Sequence, residues 1–127
     1  MAVETLHDSA TGQQIAKAIG AHGMWKMRLK SAIDSGKGDV DVATARVDNA
    51  CEFGKWLYGQ VSANAKATSY YTDVKQLHAQ FHQAAGRVLE LATTGKKAEA
   101  EALMAGDYAR TSGDLTRKLM EWQAACK

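Results

Sequence analysis

The sequence predicts an all-α fold: an antiparallel four-helix bundle with a short extra helix that carries a cysteine. The chain contains no proline and is rich in alanine, a composition that favours helices. Apolar residues recur at steps of three and four, which is helical spacing. Four glycines lie where this periodicity stops: Gly36, Gly38, Gly59 and Gly95. A length of 127 residues suits one globular domain, 1–127, rather than two.

Charge and composition exclude several classes of protein. Sixteen Lys and Arg against 14 Asp and Glu leave a net charge of +2, and the basic residues are dispersed, so no nucleic-acid surface is expected. No apolar run reaches the roughly 20 residues of a membrane span. The N-terminus has neither the basic nor the apolar region of a signal peptide. Two distant cysteines do not make a disulfide framework, and we expect a cytoplasmic protein.

The first predicted helix runs from about Thr5 to Ser35. The cluster Ser35–Asp39, with two glycines, is predicted to end it. Its apolar face carries residues spaced by three and four: Ile15, Ile19, His22, Trp25, Leu29 and Ile33.

A weakly patterned segment follows, with a predicted helical turn near Asp41 to Arg46. The sequence then predicts a short helix over Cys51 to Tyr58. Either Asp48 or Asn49 is expected to cap this helix, because both side chains accept hydrogen bonds from a helix N-terminus. Gly59 is expected to end it.

Two more long helices complete the prediction. The third runs from about Ala63 to Ala92, and Thr94–Lys96 forms a tight connection to the last, about Lys97 to Ala125. Gly106 and Gly113 each lower helix stability by up to about 1 kcal/mol relative to Ala, which weakens the prediction of the last helix. The expected buried faces are Val74, Leu77, Phe81, Ala85, Val88 and Ala92 on the third helix, and Tyr108, Leu115, Leu119, Trp122 and Cys126 on the last. Short connections favour antiparallel neighbours.

The histidines and Cys51 are the residues that point to chemistry. His22 lies on the buried face of the first helix, and His78 and His82, four residues apart, share a face of the third. Cys51 lies at the start of the short helix, where the positive end of the helix dipole favours a thiolate. Each feature alone is more often structural. A bundle brings the middles of the two long helices together, and three imidazoles and a thiolate complete a tetrahedral zinc shell.

Three motifs carry a family resemblance. The stretch Cys51-Glu52-Phe53-Gly54-Lys55-Trp56-Leu57-Tyr58-Gly59 resembles the signature of the CZB family, the chemoreceptor zinc-binding domains of bacterial signalling proteins. His22-Gly23-Met24-Trp25-Lys26 is similar to its first motif, and His78-Ala79-Gln80-Phe81-His82 to its third. The resemblance implies that the zinc ligands are His22, Cys51, His78 and His82.

The resemblance also implies a role. Such domains are cytoplasmic regulatory modules of chemoreceptors, diguanylate cyclases and related outputs, and in some members the zinc-bound cysteine is proposed to respond to oxidants such as hypochlorous acid. Cys51 is therefore the expected redox-sensitive residue. A homodimer and an output signalling domain or partner protein are expected on the same ground.

Supporting roles can be assigned around the predicted site. Trp25 and Trp56 are expected to shield it and to wedge the short helix against the bundle, and Gly54 to allow a close approach. Asp48 or Glu52 is expected to accept a hydrogen bond from the second nitrogen of a ligand imidazole, as zinc sites usually require.

Three other interpretations compete with a zinc-binding sensory domain. An enzyme would need an open zinc position, and the sequence has no HExxH, catalytic triad or phosphate loop. A di-iron bundle of the hemerythrin type needs more histidines than the core offers, and a c-type haem needs CxxCH. A metal-free helical interaction or dimerisation module with structural histidines is the main alternative. The prediction is a sensory domain without catalytic activity of its own.

Overall fold

The computed structural model describes residues 9–126, and all regular structure in that range is helical. The described helices are α1 (Ser9–Ser35), α2 (Val42–Arg46), α3 (Glu52–Gly59), α4 (Ala63–Lys66), α5 (Ser69–Thr93), α6 (Lys97–Leu103), a π-helical turn (Met104–Tyr108) and α7 (Ala109–Ala125). The predicted all-α class is confirmed. The predicted start of the first helix at Thr5 lies outside the described residues.

A glycine ends α1, as the sequence predicts, and another lies in the predicted connection after α5. Gly36 adopts a φ of 75° and its amide donates to the Ala32 carbonyl over 2.7 Å, which terminates α1. Gly95 has a φ of 81° in the connection between α5 and α6. Both conformations are left-handed and favour glycine.

The core lies around α5, which contacts α1, α2, α4, α6 and α7. The apolar faces predicted from the sequence are buried in it, although Ile19 and Leu77 are only partly buried. The arrangement is a helical bundle, and the exact antiparallel four-helix arrangement stays a prediction. In the range that the structure describes, no helix is both long enough and apolar enough to cross a membrane.

The prediction of one continuous third helix was wrong, because two helices occupy this stretch. Ser62 caps α4 by accepting a hydrogen bond from Ala65, and Thr68 caps α5 by accepting one from Tyr71. Each hydroxyl satisfies an amide that a helix N-terminus leaves without a partner. The break at Ala67 and Thr68 therefore reflects capping by hydroxyl residues that the apolar pattern does not reveal.

The last predicted helix is also interrupted. The turn Met104–Tyr108 is wider than an α-helical turn and separates α6 from α7. Gly106 lies in this turn, and glycine weakens a regular α-helix at such a position.

The segment between α1 and α3 follows the prediction in part. The expected helical turn is present as α2, and it packs against α5. The short helix α3 is shifted by one residue, since it begins at Glu52 and includes Gly59. The sequence predicted Cys51 in the first turn of this helix, whereas the structure places it at the N-cap.

Candidate metal centre

Three helices bring four potential metal ligands together. His22 comes from the middle of α1, His78 and His82 from consecutive turns of α5, and Cys51 from the N-cap of α3. One nitrogen or sulfur atom from each residue lies within 4.8 Å of the others. The structure thus assembles all four residues that the sequence predicts.

His78 occupies the centre of this group. Its Nε2 lies 3.0 Å from Nε2 of His22 and 3.1 Å from Nε2 of His82. The Cys51 sulfur lies 3.4 Å from Nε2 of His78 and 3.6 Å from Nε2 of His82. The Nε2 atoms and the sulfur therefore face a common point.

These separations fit a tetrahedral metal shell. With Zn–N of about 2.05 Å and Zn–S of about 2.3 Å, tetrahedral angles place two nitrogens about 3.3 Å apart and a nitrogen and a sulfur about 3.6 Å apart. The two N···N distances are a few tenths of an ångström shorter and the two S···N distances agree. Four of the six distances therefore suit one zinc-sized ion, and the remaining two pairs lie within 4.8 Å.

Backbone carbonyls orient two of the three imidazoles. Nδ1 of His22 lies 2.8 Å from the Ala18 carbonyl, and Nδ1 of His82 lies 3.0 Å from the Ala45 carbonyl. Because a carbonyl only accepts, each Nδ1 carries the proton and each Nε2 presents a lone pair to the centre. The expectation that Asp48 or Glu52 would accept these hydrogen bonds was wrong. A buried carbonyl close to the ring serves instead.

The converging lone pairs call for a cation. A neutral His78 offers at most one Nε2 proton, which can satisfy only one of its two imidazole neighbours. Nδ1 of His78 is buried and has no hydrogen-bond partner among the described residues, so no carbonyl fixes the tautomer of this ring. A metal ion accepts all three lone pairs at once, which hydrogen bonds among the rings cannot do.

Burial keeps the imidazoles neutral. His22, His78 and His82 are 4%, 0% and 1% exposed. Burial lowers the pKa of His22 to about 4, against the opposing hydrogen bond to Ala18. It lowers the pKa of His78 to about 2, helped by the neighbouring His82 and His22, and it lowers the pKa of His82 too. All three are therefore ready to bind metal at neutral pH without losing a proton.

Cys51 is both a candidate ligand and a helix cap. Its sulfur accepts a hydrogen bond of 3.3 Å from the Gly54 amide, so the predicted capping by Asp48 or Asn49 was wrong. Burial raises the pKa of the Cys51 thiol, and the backbone hydrogen bonds at the start of α3 lower it only in part. The expected stabilisation of the thiolate by the helix end is present, but burial outweighs it while no metal charge is nearby.

Aromatic rings wall the centre. Phe53 meets His22 and His78 edge-on, with ring centroids 5.9 and 5.2 Å apart. Phe81 lies 5.0 Å from the His22 ring, and Trp25 lies 5.8 Å from His82, as predicted for a shielding residue. Neither phenylalanine was predicted to take this role, although both stand inside the motifs.

Trp56 serves as a wedge. Its ring packs against Phe53 on α3, with centroids 5.6 Å apart, and against Trp122 on α7, with centroids 6.1 Å apart. It thereby joins the cysteine-bearing helix to the bundle.

Three further contacts hold α3 in place. A Cβ on Gly54 would lie 1.8 Å from the Asp48 carbonyl oxygen, which confirms the predicted close approach. The Tyr58 hydroxyl donates to the Asp48 carboxylate, and the Tyr71 hydroxyl donates to the Leu57 carbonyl over 3.0 Å. The loop before Cys51 is thus tied to the far end of α3.

A family model described as the chemoreceptor zinc-binding domain matches residues 22–89, more than half of the chain. The matched range begins at His22 and contains the other three clustered residues. The chain belongs to the CZB family. No curated protein and no solved structure gave a significant match.

Membership of the CZB family identifies the metal. The family is zinc-binding, and this CZB domain has three imidazoles and one thiol positioned to hold a metal ion. Nitrogen and sulfur donors in a tetrahedral set suit zinc better than calcium or magnesium, which prefer oxygen. Zinc is therefore the cofactor of this domain.

Proposed function

We propose that residues 1–127 form one zinc-binding sensory domain of bacterial signal transduction, in chemotaxis or cyclic-di-GMP signalling. His22, Cys51, His78 and His82 are the zinc ligands, and the stimulus is zinc, an oxidant such as hypochlorous acid, or both. The observation that carries this proposal is the convergence of three imidazole nitrogens and one sulfur in a buried centre. The CZB family match supports the signalling role.

Four protein ligands leave no position for a catalytic water. Structural zinc sites are closed by four protein ligands, whereas catalytic zinc sites keep one position open. The proposed His3Cys shell is closed, and aromatic rings surround it. This supports a regulatory domain without catalytic activity of its own.

Cys51 is the proposed redox-sensitive ligand. It is partly exposed, whereas the three histidines are buried, so a small oxidant reaches the sulfur first. Attack of the thiolate on hypochlorous acid gives a sulfenic acid and chloride, a two-electron oxidation of sulfur. The neutral sulfenic acid is a poorer ligand than the thiolate, so zinc would keep only three histidine ligands and would be lost more easily to a chelator.

Zinc release is the test of this sensing chemistry. We expect one equivalent of hypochlorous acid to release zinc from the wild type and from Cys126→Ser, as measured with a chromogenic chelator, and a thiol reductant to restore binding. Cys126 is the matched control, because it is the second cysteine and lies buried at the end of α7. Equal zinc content before and after oxidation of Cys51, verified by mass spectrometry, would refute the redox part and leave zinc itself as the stimulus.

Movement of α3 is the proposed response. Cys51 is the only proposed ligand on this short helix, whereas the histidines stand on long helices of the bundle. Loss of the sulfur–zinc bond also changes the cap of α3. Hydrogen exchange in Glu52–Gly59 is expected to accelerate on zinc removal by more than exchange at the far end of α5, and equal protection with and without zinc would exclude this response.

Partners and location follow from the same role. A homodimer and an output domain or partner protein are proposed, and the exposed Met24 and Met27 on α1 offer an apolar face for such a contact. Light scattering of the wild type beside Met27→Glu tests whether this face forms a dimer. A reduced cysteine ligand fits the cytoplasm, where thiols stay reduced.

A further inference from the structure

The short helix α2 presses its backbone against α5 at Gly86. A Cβ on Gly86 would lie 2.8 Å from Cβ and 2.9 Å from Cα of Arg46, and 3.2 Å from its backbone nitrogen. Real Cβ atoms essentially never lie within 3.0 Å of another heavy atom, as the first two distances would require. Two of the three atoms are main chain, which cannot rotate away. Only glycine allows α2 to lie this close to α5.

The close approach places a carbonyl on a candidate zinc ligand. Ala45 precedes Arg46 and is 1% exposed. Because α2 ends at Arg46, the Ala45 carbonyl lies in the last turn and has no partner further along the helix. It accepts the hydrogen bond from Nδ1 of His82 over 3.0 Å. The negative end of α2 thus faces this imidazole.

We propose that Gly86 is a positioning residue of the zinc site, acting through α2. By letting α2 contact α5, it keeps the Ala45 carbonyl on Nδ1 of His82, which fixes the tautomer and directs Nε2 at the metal. This inference rests on the proposed role of His82 as a ligand. Partners that orient metal-bound histidines contribute about 10- to 100-fold to metal affinity.

A side chain at position 86 has two opposite effects. In a helix free of neighbours, alanine is preferred to glycine, so Gly86→Ala alone would favour α5. In the packed protein the new methyl displaces α2, lengthens the bond from Ala45 to His82 and leaves a buried N–H without its acceptor. We expect the second effect to dominate in zinc affinity.

The experiment compares zinc affinity in two variants and two controls by chelator competition. Gly86→Ala moves α2 from the α5 side, and Gly113→Ala is its control, because a Cβ on Gly113 would meet nothing within 4 Å. Arg46→Pro acts from the α2 side, since a residue before proline leaves the helical conformation and would turn the Ala45 carbonyl away. Arg46→Ala is its control, because it removes only the exposed ion pair with Glu90 and keeps the helix.

A spectroscopic readout separates positioning from general loosening. In the zinc-loaded wild type, the Nδ1 proton of His82 is expected to exchange slowly with water in nitrogen-edited imidazole spectra, because Ala45 holds it. Both variants should bind zinc about 10- to 100-fold more weakly and exchange this proton faster, while both controls match the wild type.

The outcomes distinguish failure of the proposed zinc-binding function from failure of the positioning role of Gly86. Wild type that binds no zinc refutes the proposed function itself. Wild type that binds zinc, with folded Gly86→Ala of equal affinity or with the His82 proton still protected, refutes only the positioning role. If Gly86→Ala does not fold, Arg46→Pro tests the positioning role by the same two measurements.

Discussion

Cys51 is placed to connect the capping of α3 with the proposed metal binding and response. Its sulfur caps α3 through the Gly54 amide and lies beside two imidazoles. A metal ion would add positive charge to a group whose pKa burial raises, and a metal-bound thiol is deprotonated. The cost of burying the thiolate is therefore offset only when the ion is present.

Proton release on zinc binding follows from the same pKa shifts. With the pKa of His22 at about 4 and that of His78 at about 2, and with that of His82 also lowered, the imidazoles hold no extra protons at pH 7. Cys51 does, because its pKa is raised. Calorimetry in buffers of different ionisation enthalpy should detect about one proton released per zinc at pH 7. Cys51→Ala should bind zinc more weakly and release less than one proton, because only a zinc-bound water would remain to ionise. Release of two or more protons by the wild type would contradict the neutral histidines.

The four proposed ligands could be predicted from the sequence, whereas the groups that orient them could not. Each proposed ligand stands in a short motif and is a residue type that commonly binds metal. The carbonyls of Ala18 and Ala45 could not be predicted, since any residue supplies a carbonyl and only the path of the backbone decides which one meets His22 or His82.

At the scale of elements, a few specific contacts fix the position of α3. Gly54 lets its backbone contact the Asp48 carbonyl, and Trp56 packs it against α7 through Trp122. The tyrosine hydrogen bonds at Asp48 and Leu57 secure its second half.

Two glycines of α3 make a matched test of this packing. A Cβ on Gly54 would lie 1.8 Å from a backbone oxygen, whereas a Cβ on Gly59 would meet nothing within 4 Å. We expect Gly54→Ala to lower the free energy of unfolding by about 3 kcal/mol, at the upper end of overpacking costs, and to weaken zinc binding. Gly59→Ala should change the free energy of unfolding by no more than about 0.5 kcal/mol. Urea unfolding of the zinc-loaded proteins measures both, and equal stability of the two variants would contradict the close contact.

Apolar periodicity predicted where helices form, but it did not predict where they are interrupted. The buried stripe of the third predicted helix runs through α5, yet Thr68 starts α5 by capping and leaves α4 separate. The π-helical turn at Met104–Tyr108 likewise preserves a buried Tyr108 and so is invisible to a count of apolar spacings. Local hydrogen bonding, which periodicity does not report, decides both features.

At the scale of the whole molecule, the candidate metal centre lies inside the core and links the stability of the fold to pH. In the metal-free protein the folded state keeps His22 neutral down to a pKa of about 4 and His78 down to about 2, whereas in the unfolded chain histidine titrates near 6.5. Below about pH 6.5 the unfolded state binds more protons, so the free energy of unfolding falls as pH falls. Above that pH these histidines add no pH dependence.

This dependence can be measured where carboxylates do not interfere. Between pH 6.5 and 5 most side-chain carboxylates remain ionised, and each buried neutral histidine contributes up to about 1.4 kcal/mol per pH unit. Urea unfolding of the chelator-treated protein should show stability decreasing through this window. A free energy of unfolding that stayed constant from pH 6.5 to 5 would contradict the burial of neutral imidazoles.

The central claim is that one zinc ion joins α1, α3 and α5 through three imidazoles and one thiolate. X-ray absorption at the zinc edge, on protein with its metal content measured, tests it most directly. We predict one zinc per chain with three nitrogen ligands at about 2.0–2.1 Å and one sulfur at about 2.3 Å, and loss of the sulfur shell in Cys51→Ala. A zinc shell without sulfur in the wild type, or protein that takes up no zinc, would contradict the account.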